Sequence, residues 1–200
     1  MAKANWVRVN PSSGSNNVNV NVSSTTEHTG RVARTTTLTW KAANVANIER
    51  TVSQAGKPEY VDIDDAASAD KAGEVVTISG VSNSKKLTFT LGTGDLAINL
   101  PLSYTANSVN TTNGANISGD PGAAAEYNFS ISINVPANTS TTTKTRQIIV
   151  TDEAGHKDVC LLASTSGDAY VTVAEGVIEL DYQGTAVTVK VMSNTTWSIE

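Results

Sequence analysis

Apolar and polar side chains alternate with period two along much of the chain. Val18, Val20 and Val22 are separated by Asn19 and Asn21. Phe129, Ile131, Ile133 and Val135 are separated by Ser130, Ser132 and Asn134, and Val187, Val189 and Val191 by Thr188 and Lys190. In a strand successive side chains point to opposite faces, so each run predicts one apolar face turned to a core and one Asn/Ser/Thr face turned to water. Further strands are expected over residues 6–9, 32–40, 48–52, 75–78, 87–91, 98–103, 146–150 and 159–162. The two windows nearest to helical, 42–50 and 64–74, are short, contain Asn or Gly and lie between strands, which makes them loops or single turns. The pattern predicts an all-β protein of antiparallel sheets.

Composition agrees with that prediction. Thr (27), Ser (20) and Asn (18) supply about a third of the 200 residues and Val another 22, the β-branched and turn-forming side chains. A chain of this length holds one or two ordinary domains, which excludes a large enzyme. Charged residues are 16% with a net charge of -5 and no block of one sign, so no nucleic-acid or membrane partner is expected. The lone Cys160 makes no internal disulfide. Residues 1–6 carry no apolar signal core and no run approaches the ~18 apolar residues that cross a bilayer, so the expected product is soluble and made in the cytoplasm. Asn-x-Ser/Thr triplets such as Asn138-Thr-Ser140 then reflect composition rather than glycans.

The chain also repeats itself. Asn17-Val-Asn-Val-Asn-Val22 matches Asn128-Phe-Ser-Ile-Ser-Ile133, 111 positions on. Arg34 matches Arg146, Gln54-Ala-Gly56 matches Thr165-Ser-Gly167, Tyr60-Val-Asp-Ile63 matches Tyr170-Val-Thr-Val173, and Ser82-Asn83 matches Ser193-Asn194, all at spacings of 110 to 112. Residues 59–168 therefore hold a whole unit, residues 1–58 the later part of one, and residues 169–200 the earlier part. The central unit carries an Asn/Gly/Ala-rich stretch, 105–126, expected as a long loop.

Read in the order Ser193-Asn-Thr-Thr-Trp-Ser-Ile199, then Asn5-Trp-Val-Arg-Val-Asn-Pro-Ser-Ser-Gly14, the Val18 strand, Arg34 and Thr51-Val-Ser-Gln-Ala-Gly56, the flanks resemble a circularly permuted BACON domain. The central unit resembles a divergent copy that keeps Ser82-Asn83 and Arg146 and lacks both tryptophans. The resemblance implies two immunoglobulin-like antiparallel β-sandwich domains, one assembled from the N- and C-terminal segments. It also implies company with Bacteroidota proteins and the tailed phages of gut Bacteroidales, and, through the family's association with glycan-degrading enzymes, a glycan as an alternative partner.

A seven-stranded sandwich starts at one pole and ends at the other. With strands of about 8 to 10 residues at ~3.3 Å each, such a unit is roughly 30 Å long, whereas linkers of three or four residues span at most about 15 Å. Completion in trans, with residues 169–200 adding strands to residues 1–58 of another subunit, and completion in cis, with the chain doubling back, both satisfy the pattern. Val187, Val189, Val191 and Trp197 on one side, and Trp6 and Val7 on the other, are the expected strand-completion residues. Trans pairing predicts a homo-oligomer that closes into a ring or runs on as a filament.

Candidate chemistry is sparse. His28 and His156 sit in turn-like contexts, Cys160 precedes Leu161-Leu162 as a small core residue, and Asp62, Asp64, Asp65 and Asp70 lack the spacing of a calcium loop. No nucleophile elbow, phosphate-binding glycine loop or catalytic carboxylate pair is recognisable, so no enzyme, no metal and no cofactor are expected. Trp6 and Trp197 are expected in a core. Trp40, with Asn113 and Asn116 on the 105–126 stretch, is the candidate glycan or interface set. The expected role is a non-enzymatic virion structural protein, a capsid decoration protein binding the major capsid protein and itself on the capsid surface. A glycan- or mucin-binding module and a head-fibre or tail adaptor are the alternatives.

Overall fold

A computed structural model of the protein describes residues 3–173 and 176–200. It is all-β: the described residues form strands, with a single 3-10 turn at Pro121–Ala123. Two hairpins come first. Strands β1 (Val7–Asn10) and β2 (Asn21–Ser24) pair antiparallel, as do β3 (Arg34–Trp40) and β4 (Ile48–Gln54).

The middle of the chain forms two larger sheets. They are built from β5 (Val61–Ile63), β6 (Ala66–Ala69), β7 (Glu74–Ser82), β8 (Leu87–Gly94), β9 (Ser103–Ala106), β10 (Val109–Thr112), β11 (Tyr127–Val135), β12 (Lys144–Asp152) and β13 (Lys157–Ser164). One sheet runs β10-β9-β11-β7-β5 and the other β6-β13-β12-β8. A last short pair, β14 (Val171–Val173) with β15 (Val191–Ser193), follows.

The alternation read in the sequence becomes packing in β11, where Tyr127, Phe129, Ile131, Ile133 and Val135 are buried and Asn128, Ser132 and Asn134 are exposed. They meet Val76 and Ile78 of β7 and Leu87, Phe89, Ile148, Val150, Cys160 and Leu162 in one core. Phe89 stands edge-on to Phe129 with ring centroids 5.8 Å apart and tilts against Tyr104 at 5.0 Å. Gly80 makes room for this packing: a Cβ there would lie 2.4 Å from the Phe129 ring.

Several expectations change. Residues 66–69, within a window read as loop or turn, form β6, which lies parallel on β13 with Leu161 opposite Ala66. Ala-Ala-Ser-Ala has weak strand preference, and its pairing comes from the neighbouring chain rather than from its own residues. The 105–126 stretch is not one long loop. Asn107 and Ser108 both take positive φ (47° and 65°), closing a two-residue β9–β10 hairpin, and Ile117 is buried against the core. The 98–103 strand begins only at Ser103, because Pro101 has no N–H to give a ladder. Residues 18–20 and 187–190 alternate as predicted yet lie outside the assigned strands, which stop at Asn21–Ser24 and Val191–Ser193. A strand needs a neighbour on its edge, and among the described residues these stretches have none.

Candidate functional site

The most specific side-chain construction lies where the central sheets meet the segment before them. Asn83 follows β7 and is fully buried. Its Oδ1 accepts the Tyr60 N–H at 3.0 Å, and its Nδ2 donates to the carbonyls of Thr29, Lys57 and Pro58 at 3.2, 3.3 and 3.1 Å. Beside it the Ser82 hydroxyl donates to the Tyr60 carbonyl at 2.7 Å and accepts the Ser84 N–H at 3.0 Å. A buried amide of this kind is stable only when its donors and acceptors are used, and here they are.

The backbone around Asn83 is correspondingly tight. Arg31 donates to the Asn83 carbonyl, pairs with Asp120, and offers its own N–H to the Gly122 carbonyl. A Cβ on Gly122 would fall 2.0 Å from the Asn83 carbonyl oxygen, and one on Gly30 would fall 2.3 Å from the Ala124 carbonyl carbon, so side chains are excluded at both points. The Arg31 guanidinium is held protonated above its ordinary value, first by its hydrogen bond to Asp120.

The same construction recurs one unit later. The Oδ1 of Asn194 accepts the Tyr170 N–H at 3.0 Å, and its Nδ2 donates to the Thr139 and Asp168 carbonyls at 2.8 and 2.9 Å. The Ser193 hydroxyl donates to the Tyr170 carbonyl at 2.9 Å and accepts the Thr195 N–H at 3.0 Å. The backbone closes alike at both places, with Lys57 N–H donating to Gly30 and Gly167 N–H to Ser140. Each partner stands 110 or 111 positions from its counterpart, so the repeat seen in the sequence is a repeat of hydrogen bonds. The recurrence of Ser-Asn straight after an apolar alternation was the visible signal; that the pair reaches back to the preceding segment was not.

Around these joints the flanks expose what the centre buries. Val20 is 36% and Val22 41% exposed, while their counterparts Ile131 and Ile133 are at 1% and 0%. Val171 and Val173 are about half exposed, where Val61 and Ile63 are buried. Val187 and Trp197 are exposed as well, and Val189 and Val191 only partly covered. Among the described residues no strand of 3–58 pairs with one of 169–200. Of the apolar side chains in 3–58 only Val7 and Leu38 are buried. Trp6, expected in a core, is partly covered and lies under the Arg34 guanidinium, 4.7 Å from its ring centre. Arg34 is held in turn by Gln54 Oε1 at 2.9 Å and the Thr26 carbonyl at 3.0 Å. Trp197, also expected in a core, is half exposed.

The candidate glycan set does not converge. Trp40 borders a cleft lined by Lys3, Val9, Ser12, Thr37, Leu38 and neighbours within residues 3–41, and neither Asn113 nor Asn116 belongs to it. The Asn113 amide is occupied: it accepts the Phe89 N–H at 2.8 Å and donates to the Phe89 carbonyl at 3.0 Å, as a neighbouring strand would. Asn116 is exposed and bridges to Lys86 through its backbone.

Several titratable groups make structural contacts. Asp152 is buried and binds both the N–H and the Nδ1 of His156 at 2.8 Å. His28 Nε2 lies 2.6 Å from the Val32 carbonyl. Burial, reinforced by Asp64, Asp65 and Asp158, pushes the Cys160 thiol up to about 11. Asp64 accepts the Ser79 N–H and Asp70 the Ala72 N–H. Among the described residues no group of three or more His, Cys, Asp or Glu side chains is placed to hold a metal ion, and no helix is long and apolar enough to cross a membrane. No protein-family model and no curated protein sequence matches the chain.

Proposed function

We propose that this is a non-enzymatic structural protein that assembles with copies of itself, residues 169–200 of one chain completing a sandwich with residues 1–58 of the next. One observation carries the reading: equivalent valine and isoleucine positions are buried in the central sheets and exposed in both flanks. Apolar faces and open strand edges of this kind are covered by association. Covering them stabilises by about 1.5–3 kcal/mol per fully buried aliphatic side chain, before the cost of ordering two partners.

The setting that fits best is the capsid surface of a tailed phage, with the major capsid protein as the second partner. Its support is the BACON resemblance of the flanks together with a chain whose polar groups serve packing and turns. The joints favour trans over cis completion, because both flanks are latched onto the central sheets by the same hydrogen bonds, at Asn83 and at Asn194.

Imaging of intact particles tests the setting. Density for this chain on the capsid lattice, touching the major capsid protein, is the expected result. Density at the tail or on fibres would move it to the adaptor role, and absence from purified particles would remove the virion reading. Glycan-array binding lost on Trp40→Ala would favour the glycan-binding alternative.

A further inference from the structure

The central sheets contain a template for the contact between chains. In the five-stranded sheet β11 lies between β9 and β7, and β7 lies between β11 and β5. In the first flank β2, the counterpart of β11, has β1 on one edge and, among the described residues, no strand on the other. In the last flank β15, the counterpart of the end of β7, has β14 on one edge and, among the described residues, no strand on the other. The β14–β15 register, Val171 opposite Ser193, is the β5–β7 register, Val61 opposite Ser82, carried forward by the repeat. The first flank thus keeps a strand on the β9 side of its β11 counterpart and the last keeps the β5–β7 pair, and the two open edges are the ones that face each other in the whole sheet.

We propose that residues 185–192 of one copy pair antiparallel with residues 17–24 of a second copy, with Val187 opposite Val22, Val189 opposite Val20 and Val191 opposite Val18. The register follows from the β11–β7 ladder, in which every pair from Tyr127↔Ser82 to Val135↔Glu74 has residue numbers summing to 209. Moving β11 back and β7 forward by the same 111 positions leaves that sum unchanged. The result places every valine of both runs on one face, opposite a valine. On the other face stand Asn21 with Thr188 and Asn19 with Lys190, so no like charges meet. A slip of one residue would turn one valine run outward.

The opposite sheet has a matching vacancy. Strand β3 holds β4 on one edge, whereas its counterpart β12 holds both β13 and β8. Residues 198–200 follow Ser193 as the start of β8 follows Ser82, so the end of the last flank reaches the open edge of β3. Leu38 and Trp40 share one face of β3 by strand parity, so Trp40 belongs to the interior of the completed unit. Because Asn83 and Asn194 make equivalent joints, each added chain extends one continuous row by the same step, with the flanking unit shared between neighbours.

This register rests on the self-assembly reading above, and the test separates the two. A chain carrying Asn21→Cys is mixed with a chain carrying Thr188→Cys and oxidised. Both sites lie on the solvent-facing side, and the native Cys160 is buried. Non-reducing electrophoresis is expected to show a covalent dimer roughly tenfold more abundant than for Asn19→Cys mixed with Thr188→Cys, since directly opposed positions bridge readily and diagonal ones do not. Sedimentation of the unsubstituted chain runs alongside. Association with crosslinks only at the shifted pair overturns the register and leaves the assembly standing. A chain that stays monomeric across the concentration range overturns both. A chain carrying both substitutions that links within itself, while the mixture does not link, assigns the contact to one chain and overturns the second copy as occupant.

Discussion

At the scale of single residues, one asparagine does most to fix how successive segments follow one another. Asn83 uses its whole amide, binding one N–H and three carbonyls from inside the protein. Asn83→Ala leaves those groups buried and unpaired, and is expected to lower stability in denaturant unfolding by about 3 kcal/mol, from the cost of unsatisfied buried polar groups. Asn194→Ala, at the more exposed joint, is expected to change that unfolding little. Asp95 gives the acid limb a recognisable contributor. Its carboxylate accepts the Thr145 N–H at 2.9 Å, and this hydrogen bond holds its pKa below the ordinary Asp value. A depressed carboxylate adds stability above the unfolded-state value near 4, and that share is lost as pH falls through the folded value. Asp95→Asn is therefore expected to flatten the loss of stability as pH falls below about 4, as followed by unfolding at each pH.

At the scale of elements, burial separates strands that are alike in sequence. Ile131 and Val20 occupy equivalent places, yet Ile131 is buried in the core and Val20 is 36% exposed. Ile131→Ala is expected to cost about 2–5 kcal/mol in thermal or denaturant unfolding, by transfer and cavity terms together. Val20→Ala is expected to leave dilute-solution unfolding unchanged and to weaken association instead. The alternation of β11 was legible because every second residue of it is buried, and β7 and β12 were legible as strand stretches within 75–78 and 146–150. Strand β6 was illegible, since its Ala-Ser residues carry no pattern and its place is set by β13. The β9–β10 hairpin was hidden for a related reason: Asn107-Ser108 adopts positive φ without a glycine to announce it. The Ser-Asn pairs were visible as a repeat, but a hydrogen bond to a carbonyl about 54 residues upstream, as from Asn83 to Thr29, leaves no local trace. Trp40 is 41% exposed and lies by strand parity on the face of β3 that carries Leu38.

At the scale of the whole molecule, the proposed pairing of the flanks carries an expectation for behaviour in solution. The mass measured by light scattering is expected to rise with concentration above the 20.8 kDa of one chain. Val20→Lys places a charge in the valine row that the second copy would cover, where an unpaired charge is strongly disfavoured. It is expected to hold the mass at the single-chain value while leaving far-ultraviolet circular dichroism and the unfolding of the central sheets unchanged. A variant that still associates would place the contact elsewhere.

The two open edges are different surfaces, Val18, Val20 and Val22 in the first flank and Val187, Val189 and Val191 in the last. A row joined through them has a direction, like an arrow rather than a rod. Its first member always shows the acceptor edge and its last the donor edge, so whatever anchors one extremity has no grip on the other. Growth is then one-way from the anchor, and a chain trimmed of residues 169–200 would still dock by its acceptor edge and end the row there.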